Sequence, residues 1–120
     1  MDKHKNIPDA SEMNKKEIHF IVEIIEYMPN SVLNRIILKK DTGNITVSAF
    51  AAGEELVEKT LPFDNYIQII DGVATITIDN KLYKLAQGQG IIIPAHSTHC
   101  FSADEQFKMI STIIKSGYED

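Results

Sequence analysis

From residue 32 onward the chain is broken into short apolar segments, and none is long enough to build a helical core. They read "VLNRIILKK", "NITVSAFAA", "NYIQIID", "VATITID", "KLYKLA", "GIIIP", "HCFSA" and "FKMISTIIK". Between them stand Asp41-Thr42-Gly43, Gly53, Asp71-Gly72, Asp79-Asn80 and Gln87-Gly88-Gln89-Gly90. Segments of this length, punctuated by Gly, Asp and Asn, predict an all-β sandwich or barrel. No gap holds the ten-residue helices that a parallel sheet needs for its crossovers, so the strands are expected to pair antiparallel. In "VATITIDNKLYKL", Ala74, Ile76 and Ile78 alternate with Thr75, Thr77 and Asp79, and Asp79-Asn80 tolerates the positive φ angles of a two-residue hairpin.

A chain of 120 residues suits one domain with its own core. The first sixteen residues are polar and include Pro8, which predicts a flexible arm over 1–16 and a single barrel domain over 17–120. The stretch "IHFIVEIIEYM", residues 18–28, suits helix and strand alike. A short strand followed by one helical turn is expected there, ended by Pro29 and Asn30.

The charge balance narrows the class of partner. Twelve Lys and Arg against seventeen Asp and Glu leave a net charge of -5, which repels phosphate backbones and argues against nucleic acid. No apolar run approaches the roughly eighteen residues that span a bilayer, and "MDKHKNIPDASEMNKKE" lacks the apolar centre of a secretion signal. The single cysteine, Cys100, has no partner for an internal bridge and fits a reducing compartment. A cytoplasmic protein without membrane contact is expected.

The stretch "PAHSTHC", residues 94–100, sets two histidines beside that cysteine. It reads as the end of one strand at Pro94, a turn over 95–98 and the start of another strand at His99. Strand alternation then points His99 and Phe101 to one face and Cys100 and Ser102 to the other, while His96 lies in the turn.

Together these segments resemble the cupins, small β-barrels marked by two motifs joined by a hairpin. The first motif (Gly, five residues, His-x-His, three or four residues, Glu, six residues, Gly) aligns with "GEELVEKTLPFDNYIQIIDG", residues 53–72. The second (Gly, five residues, Pro-x-Gly, two residues, His, three residues, Asn) aligns with "GQGIIIPAHSTHCFSA", residues 88–103. The resemblance implies a double-stranded β-helix, or jelly-roll, of antiparallel strands with a short N-terminal extension. It also assigns the metal-ligand positions of the family to Lys59, Leu61, Asn65 and His99, of which only His99 retains the family's residue. His96 stands where the family has a turn glycine. A subgroup of cupin-like chains carries a phrase similar to "EKTLPFDNYIQIIDG" with a single His at the place of Lys59, and most of its members have no established activity.

The lysine is the informative departure. An ammonium about 4 Å from a divalent ion would be repelled by about 8 kcal/mol at an effective dielectric of 20, against about 4 to 5 kcal/mol to deprotonate an ordinary lysine at pH 7. One imidazole, one amide oxygen and a leucine fall short of the three or four N, O or S ligands of zinc, iron or nickel. No cofactor is therefore expected; a metal, if bound, would use His99 with Lys59 or His96.

If inward positions follow the family, Lys59, Leu61, Asn65, Ile67 and His99 line the barrel, with Phe101 deeper. An apolar chamber with a few convergent polar groups describes a small-molecule site, and it equally describes a filled core in which His99 bonds Asn65 or a carbonyl. Lys59 fits an anion-attracting cation, a proton-transfer or imine-forming amine, or a side chain snorkelling to the barrel mouth. Cys100 reads as a small apolar residue, since nothing beside it forms a catalytic dyad. Tyr66 and Gln68, on the face opposite Asn65 and Ile67, fit either a dimer surface or contact with a second sheet. The expectation is a barrel, homodimeric, that binds a small polar or anionic molecule through Lys59, Asn65 and His99. The alternative is a metal-dependent oxygenase, isomerase or lyase built on His99.

Overall fold

The computed structural model describes residues 12–118. The alternating segments form eight strands: β1 (Val32–Lys40), β2 (Gly43–Phe50), β3 (Glu55–Thr60), β4 (Asn65–Ile78), β5 (Lys81–Ala86), β6 (Gly90–Ile93), β7 (Thr98–Ser102) and β8 (Phe107–Ile114). All pairings are antiparallel, as the short connections require. Strand order β1-β2-β8-β4-β7-β3, with β5 and β6 also paired to β4, curls the chain into an all-β jelly roll.

The order depends on one strand that belongs to both layers. "NYIQIID" and "VATITID" were expected as two strands parted by Asp71-Gly72, but they form one continuous β4. Its first half pairs with β6 and β8, and its second half with β5 and β7. The change of layer occurs where the β4–β8 register slips between Ile69 and Asp71 and Gly72 takes φ 77°. A Cβ at Gly72 would stand 2.2 Å from the Gln106 carbonyl oxygen, so the bend requires glycine. Here the glycine turns a strand rather than ending it.

The hairpin at Asp79-Asn80 has the expected geometry, with φ of 47° and 69°, and places Lys81 opposite Ile78. β3 carried no apolar signal. Its sequence "ELVEKT" is exposed at all but Leu56, as suits a charged strand at the end of the strand order.

Inward side chains of both layers meet in one core: Phe50, Ile67, Ile69, Ile76, Ile93, Phe101 and Phe107 are buried with Ala74, Leu85 and Met109. Phe50 stacks on Phe107 with centroids 4.4 Å apart, and Phe101 tilts against Phe50 at 6.0 Å. Each such fully buried side chain contributes about 1.5–3 kcal/mol.

The N-terminal segment lies on the outside of the β1-β2-β8-β4 layer. The strand expected within 18–28 does not form; a single 3-10 turn, Ile21–Glu23, sits in an otherwise irregular run. Ile24 and Ile25 bury against Val47 and Ala49. Three side chains fasten the segment: Lys108 Nζ donates to the Val22 carbonyl, Arg35 Nη1 to the Ile24 carbonyl at 2.8 Å, and Tyr27 Oη to Asp71 Oδ2 at 2.6 Å. Of the arm expected over 1–16, residues 1–11 lie outside the described residues. Beyond them the Met13 amide donates to the Ile37 carbonyl, and Glu12 accepts from the Lys39 amide at 2.7 Å.

Candidate functional site

Of the four motif positions, Lys59 of β3 stands opposite His99 of β7, Leu61 follows the end of β3, and Asn65 opens β4. β3 is in register with β7 at Leu56 and Phe101, slips by one residue, and resumes with Lys59 opposite His99. The extra residue keeps Leu56 and Lys59 on the face shared with Phe101 and His99, since directly opposed antiparallel residues project to the same side. Without the slip Lys59 would point outward.

His99 is 4% exposed, and its ring meets Phe101 edge-on at 5.7 Å. Nδ1 lies 3.5 Å from the Ser97 carbonyl oxygen. A ring nitrogen facing a carbonyl carries its proton there, which leaves Nε2 as a lone-pair acceptor. Burial is the main cause that lowers the pKa of His99; the Ser97 carbonyl opposes the shift and the Lys59 charge adds to it. The imidazole is neutral at pH 7.

Asn65, at the first position of β4, is 5% exposed. Its Oδ1 accepts a 2.7 Å bond from Ser111 Oγ of β8, which fixes the amide plane and leaves Nδ2 as a donor. Among the described residues, no fully buried side-chain nitrogen or oxygen lacks a partner. His99 Nε2 and Asn65 Nδ2, which make no bond to protein there, therefore lie where solvent reaches them.

Leu61 is half-buried beyond the end of β3, and Lys59 is exposed. The lysine thus stands on the inward face at the rim, its head in water and its charge felt by His99. Ile67 and Phe101 lie deeper and are buried. Beneath them the Phe50–Phe107 stack fills the core.

His96 meets this group through its backbone, at the Leu61 carbonyl. It is exposed in the turn after β6 with φ 68°, the left-handed conformation that suits glycine. The turn is held by the His96 amide, which donates to the Leu61 carbonyl at 2.7 Å, and by the Ala95 amide, which donates to Asp64 Oδ1 at 2.8 Å. Cys100 faces away from His99, as alternation requires.

The donors do not fit a transition metal. Asn65 Oδ1 is occupied by Ser111, Leu61 offers hydrocarbon, and Lys59 brings a positive charge. Only Nε2 of His99 remains, short of the usual three or four ligands. Among the described residues no three His, Cys, Asp or Glu side chains cluster in a way that could hold an ion.

No protein-family model and no curated protein matches the chain. Solved structures do. A conserved protein of unknown function from Streptococcus pyogenes is 28% identical with a TM-score of 0.82, over 87% of this chain and 91% of that one. A cupin superfamily protein from Desulfitobacterium hafniense is 26% identical with a TM-score of 0.77, over 87% and 94%. A cupin 2 conserved barrel domain protein from Leptotrichia buccalis is 25% identical with a TM-score of 0.76, over 78% of this chain and 46% of that one. The resemblance read from the two motifs holds: the neighbours from Desulfitobacterium hafniense and Leptotrichia buccalis are cupins, and this chain has the same jelly-roll fold.

Proposed function

We propose that this cupin barrel is a binding module whose open end takes a small carboxylate that also bears a hydroxyl group. The observation that carries this reading is Lys59 standing opposite His99 across the β3–β7 ladder, with its charge acting on the buried ring; the Asn65 Nδ2 donor is read as the third polar group. A cation and an amide N–H suit a carboxylate, and a neutral imidazole lone pair suits a hydroxyl that donates to it. Leu61, half-buried, supplies apolar surface that a small ligand needs beside its polar contacts. A location in the cytoplasm accompanies the reading, supported by the lone thiol of Cys100. Among the described residues no helix is long and apolar enough to cross a membrane.

A thermal-shift screen of small carboxylates, hydroxycarboxylates and phosphates tests it. Hydroxycarboxylates are expected to raise the midpoint of the parent and to lose that effect in Lys59→Ala and in His99→Ala. Equal stabilisation of parent and both variants by every compound would reject the site.

A further inference from the structure

A single row of residues crosses the β5-β4-β7-β3 layer at His99. The ladder registers set Lys81 of β5 opposite Ile78 of β4, Ile78 opposite His99 of β7, and His99 opposite Lys59 of β3. Directly opposed residues project to the same side, so these four side chains share a face. Ile78 and His99 are buried and Ile78 belongs to the core, which makes it the face turned inward. Tyr83, two residues beyond Lys81 and on the same side, packs against that core. Lys81 Nζ lies 5.3 Å from the centre of the Tyr83 ring. Lys81 therefore belongs to the same surface as Lys59, on the other flank of the imidazole.

The charge at core-facing positions is of one sign. In the β1-β2-β8-β4-β6 layer the row through Asn65 continues to Ile113, Asn44 and Lys39. Lys39, Lys59 and Lys81 are the charged residues at inward ladder positions, and all three are exposed. The carboxylates of the ladders, Glu55 opposite Ser102 and Asp71 opposite Lys108, project outward. Asp79, at the tip of the hairpin, gives Oδ1 to the Thr98 amide at 2.9 Å. Among the described residues the salt bridge found joins Lys40 to Glu12, so neither Lys59 nor Lys81 has an acidic partner. In a chain with seventeen acidic residues against twelve basic ones, inward lysines without an inward acid mark a surface suited to an anion.

We propose, resting on the anion-binding reading above, that the ligand is a hydroxy-dicarboxylate and that Lys81 takes its second carboxylate. β3 and β5 are three strand spacings apart, about 14 Å at about 4.8 Å each. Each ammonium, on its flexible four-carbon stem, reaches inward from its own side and leaves the imidazole between the two. A monocarboxylate held by Lys59 leaves Lys81 without a counter-charge. A diacid with a hydroxyl on the chain between its carboxylates meets both lysines and sets that hydroxyl over His99 Nε2. A lysine acts as a point charge rather than a fork, so two separated lysines select two separated carboxylates.

Isothermal titration of the full chain with lactate, malate and inorganic phosphate, at fixed ionic strength, tests the proposal. Malate is expected to bind at least about fivefold more tightly than lactate. Lys81→Met should remove that advantage and leave lactate unchanged, whereas Lys59→Met should weaken both. Lys84→Met is the control, because it removes the same charge from the same strand on the outward side, opposite Thr75; malate affinity should stay at the parent's value. Lys81→Gln repeats the test if the methionine disturbs the hairpin. Malate no tighter than lactate, or phosphate as tight as malate, overturns the proposal. So does an equal loss in Lys81→Met and Lys84→Met, which would report net charge alone. In each of these cases a lactate affinity that depends on Lys59 leaves the anion-binding reading standing. Binding of none of the three compounds removes both.

Discussion

Lys59 and His99 stand directly opposite each other across the β3–β7 ladder, and the lysine's charge helps hold the buried imidazole neutral. This pairing follows from the one-residue slip in β3, which returns Lys59 to the inward face. Removing the charge while keeping the aliphatic stem, in Lys59→Met, is expected to raise the His99 pKa part of the way toward its ordinary value. Burial, the larger cause, remains. The stability attached to His99 is present in full above the unfolded-state pKa near 6.5 and is lost as pH falls through the lower folded-state value. NMR titration of the ring Cε1–H and urea unfolding of parent and variant from pH 7 to pH 5 check both statements. An unchanged titration in Lys59→Met would remove the lysine from the site.

The stacked pair Phe50 and Phe107 fills the core. Both are fully buried, so Phe107→Ala is expected to cost about 3–5 kcal/mol of unfolding free energy. Denaturant unfolding at pH 7 measures it.

The sequence shows these elements unevenly, for physical reasons. The hairpin was legible because Asp79 and Asn80 tolerate positive φ and the flanking residues alternate. His99 was legible because one strand fixes the direction of its alternate residues. β3 was hidden: an exposed strand of Glu, Lys and Thr has no apolar period, and nothing in its text announces the slip that orients Lys59. Gly72 misled because a glycine that bends a strand between layers looks, in one dimension, like a glycine that ends it. The bond from Ser111 to Asn65 joins residues 46 apart in the chain, a distance at which local pattern carries no information.

The N-terminal segment depends on polar fasteners as well as on Ile24 and Ile25. Lys108 is 9% exposed, and its Nζ lies 4.9 Å from the centre of the Tyr27 ring. Lys108→Met removes both that contact and the donor to the Val22 carbonyl, and is expected to cost about 1–3 kcal/mol. Hydrogen exchange should quicken across residues 20–28 and leave β5 and β7 unchanged. Uniform quickening would mean the segment is not a separate unit.

His96 bears on the turn. Its left-handed backbone costs about 1–2 kcal/mol for an L-residue. Glycine relieves that cost but adds unfolded-state entropy of about 0.5–1 kcal/mol, so His96→Gly is expected to be neutral or slightly stabilising. His96→Val should be destabilising. Thermal unfolding compares them, and a marked loss in His96→Gly would show that the imidazole itself has a role.

The proposed site of Lys59, Asn65 and His99 is built to receive an anion rather than a metal ion. It is tested most directly by following the Asn65 side-chain amide and the His99 ring by NMR while a hydroxycarboxylate such as lactate, and separately zinc, is added to the tag-free protein. Saturable shifts of both signals with lactate, abolished in Lys59→Met, and no stoichiometric zinc at His99 are expected. Tight one-to-one zinc binding through His99 Nε2, with lactate shifts equal in parent and Lys59→Met, would contradict it.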